Sequence, residues 1–181
     1  MLISPEYAAL NREHHGRTPG FGAWAGNAAH LVRVCEQLGT RDVLDYGAGK
    51  GALARSMPWP IQEYDPAIPG KQRRPRPADI VICHDVLEHV EPACLDDVLT
   101  DLARCVKRLG LFSTVSAPSF DVLPDGRNAH LIQHEWAWWE PRLAAYFSID
   151  GIQQWRQIIQ QREQMFIGST AMFIAVSPRK R

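Results

Sequence analysis

The chain reads as an α/β protein, an open and mostly parallel twisted sheet flanked by helices. Three observations predict it. Short strand-like runs, Val43 to Tyr46, Ile61 to Tyr64 and the wholly apolar Ile80 to Cys83, alternate with segments of helical periodicity. The first run leads into Asp45-Tyr46-Gly47-Ala48-Gly49-Lys50-Gly51, where glycines at alternate positions separate a strand from a helix start at Ala52-Leu53-Ala54-Arg55. Strands apolar throughout are buried on both faces, as they are in parallel sheets covered by helices.

The elements follow in order. Residues 5 to 14 suit a short amphipathic helix, and Gly16 to Gly22 a Gly/Pro-rich turn. A longer helix is expected from about Asn27 to Leu38, with Ala28, Leu31, Val32 and Cys35 on one face and Gly39 as its stop. After the three strands, Pro92 opens a helix on which Leu95, Val98, Leu99, Leu102 and Val106 keep helical spacing, and Gly110 ends it. Leu111 to Ser116 is the next strand. A polar loop, Ala117 to Gln133, leads to a Trp-rich helix from His134 to Tyr146, where Trp136 and Trp139 share a face that suits core packing. Ser148 to Ile159 and Ala171 to Val176 form the closing antiparallel pair, joined by a hairpin or a broken helix.

Composition narrows the class. A chain of 181 residues fits one domain, 1–181, with 1–26 as an N-terminal lid and 117–133 as a substrate loop. Trp24, with Phe21 and Gly22, falls in that lid. Lysine plus arginine and aspartate plus glutamate both number 20, so no global field draws nucleic acid or membrane. Cys35, Cys83, Cys94 and Cys105 are scattered without a C-x-x-C pair and read as reduced, mostly buried thiols. The chain shows no basic-then-apolar leader and no apolar run near the ~20 residues of a membrane span. A cytoplasmic location is the expectation.

The glycine turn carries the chemistry. Glycines admit backbone where a Cβ would clash, and the following helix points its first amides at whatever sits in the turn. A dinucleotide fingerprint reads G-x-G-x-x-G; here the spacing is D-x-G-x-G-x-G. That pattern resembles the first motif of class I S-adenosylmethionine-dependent methyltransferases. Two further segments fall where that family places them. Ile61-Gln62-Glu63-Tyr64-Asp65 ends in an acid twenty residues after Asp45, where a carboxylate accepts from two ribose hydroxyls. Asp79 to Val90 is a buried strand with the tail V-L-E-H-V, which resembles the fourth-strand end of small-molecule methyltransferases. The resemblance covers roughly residues 22 to 177 and speaks for the cofactor rather than the acceptor.

What it implies is a Rossmann-like fold that binds S-adenosylmethionine through Asp45, Gly47, Gly49, Gly51, Asp65 and Asp85. One departure stands out. Between Asp65 and Asp79 the family has a helix, a strand and an acidic adenine contact, but here the run is Pro66 to Ala78, with four prolines and four basic residues. A crossover with its helix needs at least ~10–12 residues, and prolines at this density forbid one. The third strand and its helix are therefore expected to be missing. Lys71, Arg73, Arg74 and Arg76 read as a solvated loop.

Methyl transfer mainly requires the acceptor to be aligned with the methyl, and a hydroxyl or ammonium acceptor also needs a base. The expected catalytic residues are His130, Asp85 and His134. His130 lies in the cluster Arg127-Asn128-Ala129-His130, where Asn128 and His130 otherwise pin the loop to backbone. Some members of the family, including ubiquinone-biosynthesis O-methyltransferases and small-RNA 2′-O-methyltransferases, hold a divalent metal with an acid-x-x-Glu-His cluster after this strand. Asp85, Glu88 and His89 resemble it, with a fourth ligand from His130 or His134, and such a cation lowers the pKa of acceptor hydroxyls. In metal-free members L-E-H-V simply closes a strand, so both readings stand.

The sequence-level function is methyl transfer to a small polar acceptor, by O- or N-methylation of a hydroxylated metabolite or glycan. The alternatives are a nucleic-acid methyltransferase and a non-catalytic partner that binds the cofactor. Neutral net charge and the absence of an Asn/Asp-Pro-Pro-Tyr tetrapeptide oppose the first, while the Arg73/Arg74 loop and the basic tail favour it. The complete glycine motif opposes the second. Nothing in the sequence decides oligomeric state.

Overall fold

The computed structural model describes residues 1–23, 28–161 and 164–179, with backbone alone over 154–170. Trp24 lies outside the described residues. The helices are α1 (Pro5–Arg17), α2 (Ala28–Leu38), α3 (Ala52–Ser56), α4 (Leu95–Cys105) and α5 (Trp136–Tyr146). The strands are β1 (Val43–Tyr46), β2 (Gln62–Tyr64), β3 (Ala78–Cys83), β4 (Val106–Val115), β5 (Phe147–Gln161) and β6 (Gln164–Pro178).

They form a six-stranded sheet in the order β2-β1-β3-β4-β6-β5. The pairs β1–β2, β1–β3 and β3–β4 are parallel, and β4–β6 and β5–β6 are antiparallel. The sheet ends at β2, so the strand and helix expected to be missing are missing. Alternate residues of β1 and β3 feed two cores. Val43, Ile80 and Ile82 pack against Leu31 and Cys35 of α2 and Leu53 and Met57 nearby. Leu44, Val81 and Cys83 pack on the other face, against Leu95, Leu99 and Leu102 of α4 and Trp139 and Leu143 of α5. All four cysteines are buried free thiols.

One boundary differs from expectation. Val106 does not extend α4, and Gly110 does not end it: the helix stops at Cys105, and Val106 starts β4 in register with Ala78. Val106 keeps the helical spacing only by coincidence. Lys107 pairs with Asp42 and Asp79 at 2.6 and 2.9 Å, which holds this stretch in the sheet. Gly110 lies inside β4, where a Cβ would fall 2.6 Å from the Val176 side chain across the pair. Its role is close packing.

The Pro66–Pro77 loop is also less solvated than its composition suggests. Lys71 Nζ donates to Glu63 Oε1 and to the Gly49 carbonyl, each at 2.8 Å. Arg74 reaches buried Asp101, which also accepts from Arg104 at 2.9 Å and from the Tyr46 hydroxyl at 3.2 Å. Two of the four basic residues thus staple the loop over the trimmed edge.

Candidate active site

A cavity of about 440 Å³ opens at the carboxyl ends of β1 and β3. Residues from the glycine turn, α1, the β3 end and the 117–133 loop all line it.

The turn is built by hydrogen bonds to its neighbours. Gly47 N and Ala48 N donate to the Tyr64 carbonyl at 2.8 and 2.9 Å, and Gly49 N donates to Asp65 Oδ2 at 2.9 Å. Lys50 N donates to the Gly22 carbonyl at 2.8 Å. Gly47 and Gly49 have φ of +83° and +47°, and what approaches them is the protein itself. A Cβ on Gly49 would lie 2.6 Å from the Gly22 carbonyl oxygen, and one on Gly47 2.3 Å from Val86. Gly51 N-caps α3 in the left-handed conformation and does not line the cavity.

Asp45 is a buried carboxyl in the cavity wall with no side-chain hydrogen bond among the described residues. Burial, reinforced by Glu63 and Asp65 and opposed by Lys71, pushes its pKa up to about 7. Asp65 is buried too, accepting from Gly49 N and, through Oδ1, from Ala67 N at 2.9 Å.

Beyond β3, Asp85 has φ +51°, alone among the described non-glycine residues in the left-handed region. Ser113 of β4 holds it there: the Ser113 hydroxyl donates to Asp85 Oδ1 at 2.8 Å and accepts from Asp85 N at 3.0 Å. His84 Nδ1 lies 3.1 Å from the same hydroxyl, and burial lowers the His84 pKa.

Glu88 and His89 sit on the following 3₁₀ turn. Glu88 is fully buried. Its Oε1 accepts from Val115 N at 3.0 Å, its carbonyl accepts from Leu131 N and Ile132 N, and its Oε2 makes no hydrogen bond of ordinary geometry. Burial, then Asp85, drives its pKa well above the ordinary carboxylate range. His89 Nδ1 contacts the Ala129 carbonyl at 2.8 Å and His130 Nδ1 the Ala117 carbonyl at 2.6 Å. Each ring donates there, which leaves Nε2 as an acceptor. Burial and His130 push His89 down to about 3, and burial lowers His130 as well.

The 117–133 loop owes its shape to Asn128. Its side chain accepts from Ser119 N and His130 N and donates to the Ser119 carbonyl, all at 2.9 Å. His130, by contrast, lines the cavity.

Ligand atoms of Glu88, His89 and His130 lie within 4.8 Å of one another, a set able to hold a metal ion. Asp85, expected in that set, is not part of it; its Oδ1 accepts from the Ser113 hydroxyl. His134 is not there either: its ring stacks on Trp138 with centroids 4.3 Å apart, outside the cavity lining.

Apart from Phe21, already expected in the lid, several residues at the site escaped sequence reasoning. Tyr7 of α1 donates its hydroxyl to the His89 carbonyl at 2.7 Å, and Phe21 packs edge-on against His14, His15 and His89. Phe120 and Asp121 line the acceptor side, and Ser113 orients Asp85. Only Ser113 had a local signal, a hydroxyl that with Thr114 interrupts the apolar second half of β4.

Comparisons with known proteins bear on this geometry. Residues 21–162 match the family described as methyltransferase domain. No curated protein matches the chain in sequence. Among solved structures, the 1,6-didemethyltoxoflavin-N1-methyltransferase of Burkholderia thailandensis, bound to 1,6-didemethyltoxoflavin and S-adenosylhomocysteine, is similar at 19% identity and a TM-score of 0.59, covering 99% of this chain and 92% of that one. The N-methyltransferase NodS of Bradyrhizobium japonicum, in complex with S-adenosylhomocysteine, is similar at 11% identity and TM-score 0.60, covering 94% and 100%. The magnesium protoporphyrin IX methyltransferase of Synechocystis, with bound S-adenosylmethionine, is similar at 18% identity and TM-score 0.56, covering 95% and 94%. At these identities the likeness is one of fold.

Proposed function

We propose, for a chain that belongs to the S-adenosylmethionine-dependent methyltransferase family, that it methylates an oxygen or nitrogen of a small polar acceptor. The observation that carries the reading is a single cavity lined both by Asp45, Gly47, Gly49 and Asp65 and by Glu88, His89 and His130. The small molecules named with the proteins of similar fold, 1,6-didemethyltoxoflavin and magnesium protoporphyrin IX, favour an acceptor of that size. Residues 1–181 then act as one domain, with the N-terminal segment as lid and 117–133 as the acceptor loop.

The residues fit the cofactor. Asp45 supplies a buried, unbonded carboxyl for its amino group, and Asp65 a carboxylate for ribose hydroxyls. S-adenosylmethionine supplies a methyl on a positively charged sulfur, an excellent leaving group. The chain's own task is alignment and proton removal. His130 Nε2 accepts the acceptor's proton, while the Ala117 carbonyl holds the ring and Ser113 holds Asp85.

Glu88, His89 and His130 also fit a divalent cation, because two imidazoles anchored through Nδ1 and an orphaned carboxyl oxygen are a sound donor set. Bound there, the ion would supply Lewis acidity to an acceptor hydroxyl. The nucleic-acid alternative is weakened in the proline-rich loop, where Lys71 and Arg74 are taken up by Glu63 and Asp101.

Isothermal titration of S-adenosylhomocysteine tests the reading. Saturable binding is expected, weakened by ~1–3 kcal/mol in Asp65→Ala. No binding at all would overturn it. Turnover by the purified chain alone would dispose of a non-catalytic partner role.

A further inference from the structure

The ionisable groups around the acceptor are carboxyls and imidazoles with the Tyr7 phenol, and burial raises the pKa of two of the carboxyls, Glu88 and Asp45. Asp85, Glu88, Glu91 and Asp121 line that half of the cavity, with Asp45 and Asp65 on the glycine-turn side. No lysine or arginine is among the described residues lining it, and the only groups there able to carry positive charge are imidazoles. Basic residues of the surrounding loops are committed elsewhere. Lys50 Nζ donates to the Thr18 and Pro19 carbonyls, Lys71 to Glu63, and Arg127 to Asp125.

A second observation is independent of that charge count. Glu88 is fully buried in the cavity wall, and its Oε2 makes no hydrogen bond of ordinary geometry, the neighbouring Thr114 hydroxyl being unpaired as well. A buried carboxyl oxygen left this way is costly unless a donor meets it. A third comes from the rim, where Phe120 is 64% exposed on the cavity side of the loop, beside Asp121. An aromatic face next to a carboxylate is a site for an organic cation.

Resting on the methyltransferase reading above, we propose that the acceptor is an amine that enters as its ammonium, facing the carboxyls of Glu88, Asp85 and Asp121 and the ring of Phe120. Carboxylate, phosphate and sulfate acceptors are repelled by the same wall. The ammonium gives one proton to His130 Nε2. The freed nitrogen lone pair forms the new N–C bond as the C–S bond breaks, and that bond's electron pair stays on the sulfur of S-adenosylhomocysteine. The product is a methylammonium ion. An ammonium and a divalent cation exclude one another at Glu88, so the two occupants can be separated.

Three probes of one skeleton and different charge, benzylamine, benzyl alcohol and benzoate, are titrated into protein saturated with S-adenosylhomocysteine, with chelator present. Benzylamine is expected to bind about tenfold more tightly than benzyl alcohol, and benzoate more weakly than either. Asp121→Asn, a change at the half-exposed rim, is expected to erase most of that advantage, and Phe120→Ala part of it. Benzoate binding as well as benzylamine, no benzylamine binding, or an amine advantage untouched by Asp121→Asn would each overturn the proposal. So would a preference for the alcohol gained on adding Mg²⁺ or Zn²⁺ and lost in Glu88→Gln, which would give the site to a metal. Failure of S-adenosylhomocysteine itself to bind would instead remove the methyltransferase reading.

Discussion

The imidazoles of His89 and His130 stand edge to face with ring centroids 4.7 Å apart, each tied through Nδ1 to a backbone carbonyl. Both carbonyls, Ala129 and Ala117, belong to the loop after β4, so both ring orientations depend on one loop. Asn128 closes that loop with three hydrogen bonds. Asn128→Ala is expected to cost about 1–3 kcal/mol in denaturant melts and to lower methyl transfer more than cofactor binding. A melt unchanged from wild type would refute the loop's dependence on this side chain.

Asp45 supplies the pH dependence. Its folded pKa, about 7, is raised above the 3.8 of an ordinary aspartate mainly by burial. A raised carboxyl means the folded state holds a proton that the unfolded state releases. Its stability is therefore present below about pH 4 and lost as pH rises through 7. Asp45→Asn is expected to stabilise the cofactor-free protein at pH 8, on the order of 2 kcal/mol, with little effect at pH 4. The same change should weaken S-adenosylhomocysteine binding. Equal melting shifts at both pH values would contradict the assignment.

Two glycines separate strain from contact. Gly39 has φ +63° but open space around its absent Cβ, so Gly39→Ala is expected to cost only about 1 kcal/mol. Gly49, at φ +47°, faces the Gly22 backbone, which cannot swing aside as a side chain would. Gly49→Ala is expected to cost roughly 2–4 kcal/mol and to raise the S-adenosylhomocysteine Kd at least about tenfold. Titration and melting of both variants test the contrast.

The strands were legible because burial on both faces leaves uninterrupted apolar runs such as Ile80 to Cys83. The missing strand was legible because proline forbids a helix regardless of tertiary context. The end of α4 was not: Val106 fits both a helix face and a strand, and the choice falls to distant partners, Asp42 and Asp79 for Lys107 and Ala78 for Val106 itself. The same limit applies at the site. Glu88 and His89 are neighbours in sequence, but it takes the folded loop to bring His130 to them and to leave Asp85 and His134 aside. Lys71 looked solvated because its partner Glu63 lies across a turn with no local signature.

The last prediction concerns what stands in for the missing strand. Asp101 is 5% exposed and accepts from Tyr46, Arg74 and Arg104. Through Arg74 it fixes the Pro66–Pro77 loop to α4, and through Tyr46 it reaches the end of β1. Asp101→Ala would leave the Arg104 guanidinium and a buried tyrosine hydroxyl short of their acceptor, and breaking a buried ion pair on one side typically costs about 3–5 kcal/mol. Arg74 and Arg104 are partly solvated, so roughly 2–3 kcal/mol is expected here. Asp101→Asn keeps an acceptor for Tyr46 and should lose less. Cleavage within 66–77 by a trypsin-like protease should speed up in Asp101→Ala, because Lys71–Gln72 and Arg73–Arg74 are its targets, Arg74 and Arg76 each being followed by proline. Wild-type cleavage and stability in that variant would mean that the prolines alone hold the loop.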